Sequence, residues 1–398
     1  MHKLYAVAAP GLAPITEYEL STLGLASAAP ANPQAPRKQD AGDPGGVAFT
    51  GDLEAIYRAN LWLRTASRVL VRLGEFRAIG FTELRRAAAK LAWERYLVPG
   101  QPVTLRVTCH KSRLYHSDAV AERVVGAIGD RLSTPPAVEK ADEEADQPPQ
   151  IVLVRLLHDQ CTISIDASGA LLHRRGYRLA TAKAPLRETL AAGILFASGW
   201  AEGALAEPAP LLDPFCGSGT IPIEAALLAC NAAPGRHRRF AFMEWPGFDV
   251  ALWQSLLIEA DRLERDRRAA LGGKLVIQGS DRDAGAIEAA EANAGRAHVA
   301  EFIEFQHHAL SSIIPPPTPG WVVTNPPYGQ RLSTDQDLRN LYAQFGNVMR
   351  AKCPGWQVAM LCSDVQLVRQ TGLALDAGLG LVNGGLSVRL ATGIVHRT

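Results

Sequence analysis

A short apolar run, Leu211-Leu212, ends at Asp213 and breaks into Pro214-Phe215-Cys216-Gly217-Ser218-Gly219-Thr220, after which the chain resumes as an apolar helical run from Ile221 to Ala229. A buried strand that turns on two glycines into a helix is one βα unit, and its helix has to cross back over a parallel sheet. The glycines permit a tight turn and let the backbone approach a ligand that side chains would exclude. The third glycine of a dinucleotide fingerprint is missing, as is the Lys-Ser/Thr of a phosphate loop. A nucleoside without phosphate therefore fits the turn best; the plain alternative is a tight turn with no ligand.

After Ala184 the sequence keeps this texture, with short apolar runs alternating with Ala-rich amphipathic stretches, as in a doubly wound α/β sheet. Leu275 to Gln278 reads as a second strand, and Gly279-Ser280-Asp281-Arg282-Asp283 as the opening of a helix that runs through Asn293. An acid at the tip of a second strand is placed to accept both hydroxyl hydrogens of a ribose, and Asp281 takes that role here. A helix cap is the competing reading, which Asp283 fits at least as well. Farther on, Trp321-Val322-Val323-Thr324 reads as a strand running into Asn325-Pro326-Pro327-Tyr328-Gly329. Two prolines force the chain out of the sheet in extended form. The Asn325 side-chain oxygen and the Pro326 carbonyl can each accept a hydrogen from a planar amine, and Tyr328 offers a ring on which a base can stack. An Asn-Pro-Pro turn with no ligand is the bland alternative.

Upstream of this region the runs Leu4–Ala9, Gly46–Thr50, Val103–Cys109, Ile151–Leu156 and Cys161–Asp166 read as strands, and Ile15–Leu23 and Asp118–Leu132 as helices, an α+β pattern. Ala26 to Gly45 and the Pro-rich, acidic Ser133 to Gln150 read as loop and exposed linker. The net charge of +1 hides an uneven distribution: Arg64 to Arg131 holds thirteen Lys and Arg against six acids, and Ala167 to Arg187 five against none. Two basic segments ahead of a catalytic domain suit a polyanionic partner, the alternative being ordinary solvated helix faces. The six cysteines form no C-x-x-C pair and read as free buried thiols. No apolar run approaches the roughly 20 residues of a membrane span, and a cytoplasmic chain is expected.

Asp213-Pro-Phe-Cys-Gly-Ser-Gly-Thr220 together with Asn325-Pro-Pro-Tyr-Gly329 resembles the class I methyltransferases that modify exocyclic nitrogens. Gly45-Gly-Val-Ala-Phe-Thr-Gly51, Ala66-Ser-Arg68, Leu172-His-Arg-Arg-Gly-Tyr-Arg178, Ala184-Pro-Leu-Arg-Glu-Thr-Leu-Ala-Ala192 and Ala233-Pro-Gly-Arg-His237 narrow the likeness. Over nearly its whole length the chain is similar to the bacterial large-subunit (23S) ribosomal RNA guanine-N2 methyltransferases. The matching half is in some bacteria fused to a second, C-terminal methyltransferase.

The resemblance implies an α/β fold: a Rossmann-like doubly wound domain with a mixed seven-stranded sheet, preceded by an α+β ferredoxin-like and THUMP region. The expected divisions are residues 1–65 (ferredoxin-like), 66–166 (THUMP, RNA-binding), 167–198 (linker and helix) and 199–398 (methyltransferase). S-adenosylmethionine is the implied cofactor, with Asp213, Phe215, Cys216, Gly217, Ser218, Gly219, Thr220, Asp281 and Glu188 around it, and RNA the implied partner. Asn325, Pro326, Pro327 and Tyr328 would hold the target guanine. Glu188 reads equally as an ordinary first-turn helix acid. Related enzymes often carry an adenine-binding acid after the third strand, whereas Phe305-Gln-His-His-Ala-Leu310 has none; His307, His308 or a backbone carbonyl is left for that contact, although exposed loop histidines are the simpler reading. In-line transfer from an activated donor calls for no metal. The rival readings are a transfer-RNA guanine-N2 methyltransferase, a DNA adenine-N6 methyltransferase and a non-catalytic RNA-binding assembly factor.

Overall fold

The computed structural model describes residues 1–25, 45–140, 148–179, 186–204, 208–328 and 335–396. The loop expected at Ala26 to Gly45 and the acidic part of the expected linker fall largely outside these residues.

In chain order the N-terminal half carries β1 (His2–Ala8), α1 (Ala13–Thr22), β2 (Gly46–Gly51), α2 (Leu53–Trp62), β3 (Ala66–Arg77), α3 (Phe81–Ala88), β4 (Val103–His110), α4 (Ser117–Leu132), β5 (Gln150–Leu157) and β6 (Gln160–Asp166). Its strands form a single sheet in the order β2-β1-β3-β6-β5-β4, antiparallel except for the β4–β5 pair. The long β3 holds it together: its first half pairs with β1, and from Leu70 onward it pairs with β6. The division expected at residue 65/66 thus falls at the first residue of a strand that pairs on both sides. Asp52 starts α2 by accepting a hydrogen bond from the Ala55 amide at 3.0 Å, the usual service of an Asp N-cap.

The C-terminal half carries α5 (Glu188–Ala197), α6 (Trp200–Ala204), β7 (Leu211–Asp213), α7 (Thr220–Ala229), α8 (Val250–Leu271), β8 (Ile277–Asp281), α9 (Ala284–Arg296), β9 (Ile303–His307), β10 (Trp321–Thr324), α10 (Asp335–Lys352), β11 (Gln357–Cys362), α11 (Val365–Gln370), β12 (Asp376–Asn383) and β13 (Leu386–Ile394). Its sheet is seven-stranded and mixed, as expected, in the order β12-β13-β11-β10-β7-β8-β9 with β13 running against its neighbours. Successive residues of the central strands serve opposite layers. Leu211 and Val323 join the cluster built with α5 and α7, whereas Leu212 and Val322 join the one built with α10 and α11. Burial on both faces makes such strands read as unbroken apolar runs.

One strand is displaced from its expected place. β8 continues to Asp281, and α9 starts only at Ala284 behind the cap Asp283, which accepts from the Gly285 amide at 2.9 Å. Gly279 is therefore inside the strand, where a Cβ would come within 2.8 Å of the Phe305 ring. The glycine marks a close approach and not a turn.

The segment between α7 and α8 leaves its own sheet and packs on the N-terminal one. Phe240, Phe242, Trp245 and Trp253 share a core with Tyr57, Trp93 and Val152. Tyr57 and Phe242 stack with ring centroids 4.4 Å apart, and the Tyr57 hydroxyl accepts from the Asp249 amide at 2.9 Å. Among the described residues no helix is long and apolar enough to cross a membrane.

Candidate active site

The registers Leu212 with Val322, Asp213 with Gly279 and Asp281 with His307 bring the carboxyl ends of β7, β8, β9 and β10 side by side. Ligands bind at this edge of doubly wound sheets. After β7 the backbone turns with Gly217 at φ +52° and Gly219 at φ +82°, a region open to glycine at little cost. The two glycines differ in their surroundings. A Cβ on Gly219 would lie 3.0 Å from both Ala290 Cβ and Phe305 Cζ, whereas one on Gly217 would meet nothing within 4 Å. Gly219 seats the loop against α9 and β9, whereas Gly217 faces open space.

Asp213 is only 1% exposed and accepts from the Thr324 hydroxyl at 2.6 Å and the Phe215 amide at 3.2 Å. Burial pushes its carboxyl up to about 7, and the Asp281 charge acts in the same direction. Asp213 thereby joins the β7 turn to β10. Asp281 joins the same turn to β8: one carboxylate oxygen accepts from the Gly217 amide and the other from the Asp283 amide, each at 3.0 Å. Phe215 reaches toward Phe345, with centroids 6.3 Å apart, and the buried Cys216 thiol is pushed well above its ordinary range by desolvation. The Ser218 carbonyl accepts from Asn293 Nδ2 at 3.0 Å, and the Thr220 hydroxyl from an Arg178 guanidinium nitrogen at 2.7 Å. Glu188, at the start of α5, pairs with Arg178 Nε at 3.3 Å, and burial raises its carboxyl to about 6.

Five buried side-chain atoms around this edge make no hydrogen bond: Asn325 Oδ1, Glu188 Oε2, Arg178 Nε, Ser280 Oγ and His308 Nδ1. Buried polar atoms are ordinarily satisfied, so this concentration suits a nucleoside-bearing ligand rich in donors and acceptors. The two histidines at the end of β9 differ. His307 is exposed, with Nε2 at 3.0 Å from the Arg282 carbonyl, whereas His308 is half-buried, its amide bound to the Asp281 carbonyl at 3.0 Å. The expectation of two exposed loop histidines is met in full by neither: His307 is exposed but ends β9, paired with Asp281, and His308, which follows the strand, is half-buried because its amide is tied back to β8.

Of the amine-site residues, Asn325 and Pro327 are half-buried and Pro326 is buried. Tyr328 is 2% exposed, and its hydroxyl accepts from Asn383 Nδ2 at 2.5 Å. In this conformation the ring belongs to the apolar cluster with Leu12, Ile15 and Leu381. Arg178, Asn293 and Arg296 were not singled out from the sequence. The only signal for the first was its place in the basic linker motif.

A glycine-turn loop tied by acids to two parallel strands, in a sheet of this strand order, defines a class I S-adenosylmethionine-dependent methyltransferase. Residues 175–391 match the RMKL-like methyltransferase domain, 80–166 the THUMP domain and 39–70 the RlmL ferredoxin-like domain. The chain belongs to the RMKL-like, THUMP-containing methyltransferase family.

A Synechocystis protein, provisionally described as an RNA methyltransferase, is 35% identical over 387 residues, 97% of this chain and 95% of that protein. The ribosomal RNA large subunit methyltransferase K/L of Syntrophotalea carbinolica is 36% identical over 98% of this chain and 53% of its own length. The chain thus spans about half the length of the K/L relatives it matches. Among solved structures, a provisionally described methyltransferase in complex with S-adenosylhomocysteine superposes with TM-score 0.84 at 31% identity, covering 100% of this chain and 99% of that one. A Listeria monocytogenes protein provisionally described as an N6-adenine-specific DNA methylase gives 0.82 at 34% identity, covering 98% and 95%.

Proposed function

We propose that this chain methylates the N2 amine of a guanine in RNA, with large-subunit ribosomal RNA as substrate. The observation that carries the chemistry is Asn325 Oδ1, a buried acceptor with no partner at the carboxyl end of β10. The THUMP match and the name of the K/L relatives support RNA over DNA, although the provisional description of the Listeria protein keeps adenine N6 as the rival product.

S-adenosylmethionine, when bound, supplies a methyl group already activated by its sulfonium. The residues proposed to hold it are Asp213, Phe215, Cys216, Gly217, Ser218, Gly219, Thr220, Asp281 and Glu188. Asp281 retains lone pairs beyond those used by the two amides, and these are free for ribose hydroxyls. Asn325 Oδ1 and the Pro326 carbonyl accept the two amine hydrogens, which turns the nitrogen lone pair out of conjugation with the ring. Pro327 fixes the extended path of this segment. Tyr328 walls the base site, and stacking on its ring requires the ring or its cover to move from the buried position. A paired guanine hides its amine, so the target is single-stranded or flipped out.

Because Asn325 acts on the amine and not on the cofactor, Asn325→Ala should bind S-adenosylhomocysteine like the parent while single-turnover methyl transfer falls by about 100-fold. Transfer at the parent rate would remove the amine-clamp mechanism. Mass spectrometry of nucleosides from ribosomal and transfer RNA incubated with the protein decides the rest. N2-methylguanosine in the large-subunit RNA is expected. N6-methyladenosine would overturn the base assignment, and product confined to transfer RNA the substrate assignment.

A further inference from the structure

The segment joining the two halves, Leu172 to Arg178, is bound on both sides. Toward the N-terminal half, the Arg175 guanidinium donates to the Leu172 and Arg64 carbonyls, both at 2.6 Å, and the Arg64 amide donates to Glu19 of α1 at 2.8 Å. Toward the catalytic half, Arg175 lies 3.5 Å from Glu224 of α7, which also accepts from the Tyr177 hydroxyl at 3.1 Å. The next two residues are connected to the glycine loop, Tyr177 through two side chains and Arg178 directly. The Tyr177 carbonyl accepts from Arg296 Nε at 2.7 Å; Arg296 also donates to Asn293, whose amide nitrogen holds the Ser218 carbonyl. Arg178 donates to the Thr220 hydroxyl at 2.7 Å and the Leu186 carbonyl at 2.8 Å, with Glu188 at 3.3 Å. Arg178 therefore holds the cofactor loop directly at position 220, and Tyr177 is linked to position 218 through Arg296 and Asn293.

We propose that Arg178 is a positioning residue for methyl transfer: its guanidinium sets Thr220 and Glu188 against each other across the cofactor loop, from a backbone anchored in the N-terminal half. A guanidinium is planar and rigid, so one side chain fixes the direction of several acceptors at once, which a flexible ammonium does not do. The side chains of Arg178 and Glu188 are 10% and 4% exposed, so water does not replace either partner cheaply. Arg178 opposes the burial that pushes the Glu188 proton on, and so favours the carboxylate, whose second oxygen has no other partner. Thr220 is the first residue of α7, so tethering its side chain fixes how the helix N-terminus meets the loop.

The inference rests on this loop being the S-adenosylmethionine site. The full chain is titrated with S-adenosylhomocysteine by calorimetry; absence of binding by the parent would overturn the site reading and not the part given to Arg178. Arg178→Gln is expected to raise the dissociation constant at least tenfold and to raise KM for S-adenosylmethionine more than it lowers kcat, and Arg178→Lys to recover only part of the affinity. Thr220→Val should weaken binding in its own right, and adding it to Arg178→Gln should change the constant less than threefold, because both remove one contact. Circular dichroism sets the folded fraction of each variant; if Arg178→Gln does not fold, Arg178→Lys and Thr220→Val carry the comparison. Affinity within twofold of the parent in the folded Arg178 variants, or fully multiplicative losses in the double variant, would overturn the proposal.

Discussion

Asp213 shows how a residue can be legible in type and illegible in state. Its place at the end of the first catalytic strand is written in the sequence, but its accepted bonds from Thr324 and Phe215 come from a strand more than a hundred residues away and from its own turn. Because burial holds its carboxyl near 7, above the usual range, the native state binds this proton more tightly than the unfolded chain. Its contribution to stability is therefore present in full below the ordinary carboxylate pKa and is lost as pH rises through about 7. Asp213→Asn, which keeps the acceptor but does not titrate, should gain on the parent between pH 5 and 8, by about 1.4 kcal/mol for each tenfold difference in proton affinity between the two states. Urea unfolding of both proteins across that range checks this, and parallel curves would refute it. The strand-end positions of Asp281 and Asn325 were readable because each follows a short apolar run in sequence. Arg178 was not: its partners Thr220 and Glu188 are defined only once α5 and α7 stand next to each other.

At the scale of elements, a run was readable where its apolar residues recur with one clear period in the sequence, as Cys161, Ile163 and Ile165 do. α4 and β6 follow their expected spans closely, whereas β3 was not read as a strand. Its buried Val69, Leu70 and Val71 sit between Arg68 and Arg72, and Gly74 breaks the alternation where the register with β6 shifts. A central strand of this kind lacks the period of two that a half-exposed strand carries. Glycine inside a helix is equally silent in sequence. Gly346 of α10 packs so closely on the end of α11 that an added Cβ would stand 1.7 Å from the Thr371 carbonyl oxygen. Gly346→Ala should destabilise the protein by about 1–3 kcal/mol, the ordinary cost of overpacking, despite alanine's better helix propensity. A denaturation midpoint at or above that of the parent would show that the two helices part without cost.

For the whole molecule, the two halves are not separable units. Trp245 and Trp253, from the catalytic half, complete the core around Tyr57 and Trp93, and Trp245 Nε1 donates to the Gln150 side chain at 2.8 Å. A fragment ending at Asp166 should therefore expose this apolar surface, bind a hydrophobic dye and unfold without a cooperative transition. A sharp urea transition in that fragment would contradict the shared core. The same aromatic segment has a consequence for synthesis. Chains emerge at about 5–20 residues per second, so the N-terminal sheet, complete at Asp166, is made about 4–17 s before Trp253 closes it. Until Trp253 has been translated, the nascent chain carries an uncovered apolar face, and it is over this interval that the growing protein is most open to chaperones or to mispairing with its neighbours.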